Sequence, residues 1–123
     1  MSADDRIRLY LRHMIAAIDR IRSYTNGISE DEFMNNTMVQ DAVVRNIEIV
    51  GEAANNIMKC DADISDRHPE IPWVTLYAMR NRVTHGYFTV DFGVVWKTIQ
   101  TDFVELRPAL ERLLPPSQTP GSA

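Results

Sequence analysis

The chain has 123 residues, 45% apolar and 24% charged, with a net charge of −4 and a single cysteine, Cys60. That length suits one domain with a modest core and excludes two, and the ordinary apolar fraction excludes wholesale disorder. The negative charge argues against a general nucleic-acid binder, so any contact with RNA phosphates must be local, while one cysteine excludes an internal disulfide framework and suits a reducing cytoplasm.

Ile7, Leu11, Met14, Ile15, Ile18 and Ile21 recur at helical spacing with arginines between them, which predicts an amphipathic helix over residues 4–24. Asn26-Gly27 ends it. Ser29 followed three residues later by Glu32 is a capping box and predicts a short helix, SEDEFMN.

A second long helix is predicted from about Thr37 to Lys59, with Val39, Val43, Ile47, Val50, Ala54 and Ile57 on its main apolar face. Flanking apolar residues widen that face to about 220°, too wide for a helix that covers one neighbour. The helix is therefore central or lies at a subunit interface. Opposite runs a narrow polar stripe, Asp41, Arg45, Glu48, Glu52, Asn55 and Lys59, which reads equally as a solvated face or a cleft wall. Gly51 costs about 1 kcal/mol relative to alanine inside a helix, so it points to a close helix contact. Asp61 to Glu70 has no helical period, and His68-Pro69 biases it toward extended backbone.

The stretch Ile71 to Tyr87, IPWVTLYAMRNRVTHGY, gathers most of the chemical groups into one helix and its exit. Pro72 suits the first helical position and Gly86 a left-handed stop, leaving about fourteen residues between them. Trp73, Tyr77, Arg80 and Thr84 share one face, Val74, Ala78, Asn81 and His85 a neighbouring one, and Leu76, Met79 and Val83 form the core seam. Arg80 and His85, five apart, point about 140° away from each other. To meet, they need a distorted last turn, a curled Arg80 side chain or a second copy of the chain. The second copy is the favoured reading.

Asp91 is placed to cap a fourth long helix, with Phe92, Val95, Trp96, Ile99, Phe103, Leu106, Leu110 and Leu113 inward and a bend or restart at Pro108. Residues 115–123, PPSQTPGSA, predict a disordered tail after one helical domain over residues 1–114. No strand pattern appears, and no apolar run approaches the ~18 residues of a membrane span. The expectation is a soluble, cytoplasmic, all-α antiparallel up-and-down bundle.

No HExxH, Cys–His cluster or glycine-rich phosphate loop is present, so no metal and no cofactor are expected. Arg, Asn and His can still cleave RNA, because the substrate carries its own nucleophile in the 2′-hydroxyl. His85 would move the proton, since histidine is the side chain suited both to take and to give one near neutral pH, and Arg80 would stabilise charge on the scissile phosphate. Asn81, one turn before His85, is placed to orient its imidazole, and Arg45 and Arg82 are candidates for RNA contacts. From residues alone, His85 reads more readily as a histidine favoured at a helix C-terminus.

Arg80-Asn81, three residues, His85, one residue and Tyr87 spell Arg-x4-His-x-Tyr, which resembles the signature of the HEPN ribonucleases, specifically the HepT-like toxins. The likeness extends to DAVVRNIEIVGEA from Asp41, HPEIPW from His68, MRNRVTHGYF from Met79 and VDFGVVW from Val90, in that order. It implies a HEPN-like bundle of four main helices plus a short one, while the expected homodimer follows from the wide apolar arc of the second helix and the separation of Arg80 from His85. It further implies a metal-independent endoribonuclease acting as the toxin of a type VII HepT/MntA-like toxin–antitoxin pair. Arg80 and His85 would be catalytic and Asn81 and Tyr87 supporting. The partner would be a nucleotidyltransferase antitoxin that transfers AMP to Tyr87. Related helical bundles accompany nucleotidyltransferase domains as non-catalytic nucleotide- or substrate-binding partners, which is the alternative; a purely structural helical dimer is a third.

Overall fold

The computed structural model describes residues 1–86 and 90–115. The first helix, α1 (Ala3–Thr25), starts at a capping box: the Ser2 hydroxyl accepts the Asp5 N–H at 3.1 Å while the Asp5 carboxylate accepts the Ser2 N–H at 3.3 Å. Gly27 takes the left-handed φ of +79° that turns the chain away from α1. The Ser29–Glu32 box then opens α2 (Glu30–Met34), as its spacing predicts.

Helix α3 (Thr37–Cys60) is the centre of the bundle, packed against α1 on one side and α5 (Trp73–His85) on the other. This accounts for its wide apolar arc: Val43, Ile47, Val50, Ala54 and Ile57 are all buried. Two buried amides tie it to its neighbours. Gln40 donates to the Phe33 and Met34 carbonyls at the end of α2, at 3.0 and 3.1 Å. Asn46 accepts Arg20 Nε from α1 at 2.8 Å and donates to the Ala42 carbonyl at 2.8 Å.

The chain then departs from its sequence pattern in four places. A single helical turn, α4 (Ile64–Arg67), interrupts the predicted irregular connection, because Ile64 is buried and anchors it. Trp73, placed by periodicity on a polar face of α5, is buried at 2% exposure and donates its indole N–H to the His68 carbonyl at 3.1 Å. Gly86 ends α5 with φ −116° rather than a left-handed angle, its N–H bonded to the Arg82 carbonyl at 2.8 Å.

The fourth departure is in the last long helix. Asp91 caps α6 (Phe92–Lys97) by accepting the Gly93 and Val94 N–H groups at 2.9 and 3.2 Å. A π-helical turn, Thr98–Asp102, follows before α7 (Phe103–Glu111), and the helix continues through Pro108. The irregularity thus precedes the proline. Its local cause is Thr101, whose hydroxyl donates to the Lys97 carbonyl at 2.6 Å and competes with the backbone for that acceptor.

All regular elements among the described residues are helical, and the architecture is the expected bundle. Helix α7 lies against α1, and α6 against α2. Of the tail predicted from residue 115, residues 116–123 lie outside the described residues.

Candidate active site

The site begins with an absence on α3. A Cβ built on Gly51 would lie 2.2 Å from the Cβ of Arg80 and 2.6 Å from the Leu76 carbonyl oxygen. Glycine is thus what lets α5 lie directly on α3, with Arg80 at the crossing. The close contact expected of Gly51 has its partner.

Three groups surround the Arg80 guanidinium. Its Nε is 3.2 Å from a carboxylate oxygen of Glu52, the residue after Gly51. Its Nη1 donates to the Asn81 side-chain oxygen at 2.8 Å. The Tyr77 ring, one turn back on α5, has its centroid 6.0 Å from the guanidinium carbon, within range of a cation–π contact. A guanidinium held along its edge and beneath its plane keeps its orientation as ligand approaches.

Arg80 lines a groove of about 290 Å³. Tyr10 and His13 of α1 form one wall, Glu48, Glu52 and Asn56 of α3 the other, over a floor that includes Ile49 and Ala53. The middle of the α3 polar stripe is therefore a cleft wall. Arg45 stands at the rim, its side chain 70% exposed and 3.8 Å from Glu48.

The other candidates lie elsewhere. His85 is exposed in the last turn of α5, a turn that stays helical up to Gly86, and it does not line the Arg80 groove. Within one chain the structure does not gather Arg80 and His85 into one pocket. Arg82 is exposed and borders a second hollow between α5 and α6, lined also by Ala78, Val83 and Val94. Tyr87 lies outside the described residues.

Sequence reasoning missed Tyr10, His13 and Asn56. The available signal was the i, i+3 spacing of Tyr10 and His13, which puts an aromatic pair on one side of α1. That α1 would turn this side toward Arg80 is a tertiary fact. No helix among the described residues is long and apolar enough to cross a membrane.

A family model, Ribonuclease HepT-like, matches residues 14–113. A Thermococcus cleftensis protein named "Probable ribonuclease HepT" is 39% identical over 104 residues, covering 85% of this chain and 92% of its own. A Methanocaldococcus jannaschii protein, assigned provisionally by its name to the RNases, is 33% identical over 108 residues, 88% of this chain and 90% of its own. A longer protein from the same organism, named for a gamma-glutamylcyclotransferase together with an RNase, is 32% identical; the match covers 88% of this chain and 47% of that protein. No solved structure matches. The family match spans the whole Arg80 groove apart from Tyr10 and His13, and with it this chain belongs to the Ribonuclease HepT-like family of RNA-cleaving enzymes.

Proposed function

We propose that the chain is a metal-independent endoribonuclease whose site is completed by a second copy, with Arg80 from one protomer and His85 from the other. The observation that carries this reading is the mounting of Arg80 over Gly51, between Glu52 and Asn81, in a chain of this family. A guanidinium so fixed is suited to a phosphate whose charge grows during attack by the 2′-oxygen. Glu52 and Asn81 are positioning residues for it. His85, exposed at a helix end, is suited to exchange a proton with a substrate bound across two subunits. The Val74 side chain one helical face away is 67% exposed, and Val94 beside the α5–α6 hollow 57%, which supplies apolar surface for a dimer.

The test uses two inactive variants. The purified protein should cut single-stranded RNA in EDTA and leave 2′,3′-cyclic phosphate ends, whereas Arg80→Ala and His85→Ala should each be inactive with melting temperatures within a few degrees of the parent. Unfolding and refolding the two variants together should restore roughly a quarter of the parent activity: half of randomly paired dimers are mixed, and each carries one intact site of two. A mixture as inactive as its components would place both residues of a site on one chain.

The biological role we propose is that of a toxin silenced by a nucleotidyltransferase antitoxin that transfers AMP to Tyr87. This rests on the resemblance of the Arg80-to-Tyr87 signature to the HepT-like toxins. Tyr87 is two residues from His85, so an added phosphate and base would repel RNA and fill its space. Mass spectrometry after co-expression with the nucleotidyltransferase should find AMP on the peptide containing Tyr87, and none in Tyr87→Phe. An unmodified peptide from a silenced protein would leave blockade by binding alone.

A further inference from the structure

The Arg80 groove has two features that the chemistry assigned to Arg80 and His85 does not use. Its α1 wall is aromatic: the Tyr10 and His13 rings have centroids 6.2 Å apart and planes inclined at 71°. They form an open corner, in which a flat ring stacked on one meets the edge of the other. Its α3 wall is rich in acceptors, with the carboxylates of Glu48 and Glu52 and the amide of Asn56.

These features define the ligand. Glu48 and Glu52 both line the groove, so a phosphate seated between them would meet two carboxylates, unlike one that approaches Arg80 from outside the groove. A neutral planar group with N–H donors meets no such repulsion. The volume of about 290 Å³ sits at the small end of small-molecule pockets, ~300–1,000 Å³. It suits one ring system.

We propose that this groove receives the base of the nucleotide beside the scissile phosphate, and that it selects guanine through Glu48. The inference rests on the reading of Arg80 as the phosphate-facing residue, since Arg80 lines the groove and a base held there lies next to the phosphate it faces. Stacking on Tyr10, with His13 against the edge of the base, cannot by itself discriminate, because every base has a π-face. The hydrogen-bonding edge can. Guanine presents two adjacent donors, N1–H and the N2 amino group, in parallel, and a carboxylate accepts both at once. Adenine and cytosine present a single amino group and uracil a single imino N–H. Glu52 holds Arg80 Nε at 3.2 Å, whereas Glu48 stands 3.8 Å from the largely exposed Arg45, beyond hydrogen-bond length, so it is Glu48, its side chain 29% exposed, that can turn its oxygens to the base.

The test measures binding without cleavage. Short fluorescent 2′-O-methyl oligonucleotides, in which the blocked 2′-oxygen cannot attack, carry guanosine or inosine at one central position in a background otherwise free of guanine. Anisotropy should give a Kd about tenfold lower for guanosine than for inosine, which lacks only the N2 amino group. Glu48→Gln should erase that ratio. Tyr10→Ala should weaken both oligonucleotides about tenfold, whereas Tyr10→Phe, which keeps the ring, should bind as the parent does. Equal affinities for guanosine and inosine in the parent, or a preference that survives Glu48→Gln, would overturn base selection. Undiminished binding by Tyr10→Ala would overturn stacking. A protein that prefers guanosine here but cuts no unmodified RNA would sink the proposed reaction and leave the groove standing. One that cuts RNA through Arg80 without base preference would do the reverse.

Discussion

Gly51 carries no side chain because Arg80 occupies the space where one would be. Alanine there would gain about 1 kcal/mol in helix propensity, but its methyl would press on the Leu76 carbonyl oxygen, a backbone atom that cannot rotate away. Overpacking of that kind costs about 1–3 kcal/mol, occasionally more. Gly51→Ala should therefore lower the unfolding free energy by up to about 2 kcal/mol in urea titrations, the overpacking cost less the propensity gain, and should also depress RNA cleavage, since α5 must move and take Arg80 with it. A variant more stable than the parent would show that the helices separate at no cost. That a glycine in this helix marks a close contact was legible in the sequence, because its propensity penalty demands a reason. Which residue it accommodates was not, since nothing in the order of residues aligns position 51 with position 80.

At the scale of elements, helix ends were legible and helix interiors less so. Capping is a local exchange between a side chain and amides two or three residues away, so Ser29, Asp91 and the stop at Gly27 follow from spacing alone. Asp91→Ala should cost about 1 kcal/mol, read as a lower urea midpoint at unchanged slope, because it strips the Gly93 and Val94 N–H groups of their acceptor. A loss within error would mean that water caps α6 as well. Periodicity misplaced Trp73 because it assigns a residue to a face without knowing what stands opposite. The hydrogen bond to the His68 carbonyl turns the indole inward. The π turn at Thr98–Asp102 was equally invisible, because a single i→i+5 step leaves the spacing of buried Ile99, Phe103, Leu106 and Leu110 looking like a regular helix.

Across the whole molecule, the ends of the chain are joined by an ion pair. Arg107 of α7 donates to both carboxylate oxygens of Asp19 on α1, at 2.6 and 3.1 Å, and also pairs with Glu111. The hydrogen bond from Arg107 holds the Asp19 carboxyl below its ordinary 3.8. A pKa depressed by folding stabilises the native state above the unfolded value, and that contribution is lost as pH falls through the folded value. Asp19 is nearly half exposed, so solvent screening limits the pair to about 0.5 kcal/mol. Asp19→Asn should be less stable than the parent by about that much near neutral pH, with the difference shrinking as the pH falls below 3.8 and the carboxyl takes up its proton. A difference constant across this range would deny the ion pair its part in joining α1 to α7.

The sequence by itself determined the all-helical class, the helix ends at Gly27, Ser29 and Asp91 and, through the Arg80-to-Tyr87 signature, the family. These are matters of period, of capping within a few residues and of short motifs, all of which are properties of neighbours along the chain. Only the tertiary structure decided that α3 is buried between α1 and α5, that Glu52 rather than a residue of its own helix face receives Arg80 Nε, and that Tyr10 and His13 stand across a groove from Glu48. Those contacts join residues from helices far apart in the chain. They exist because burying the apolar arc of α3 requires two covering helices, and the places where those helices cross put the polar side chains together.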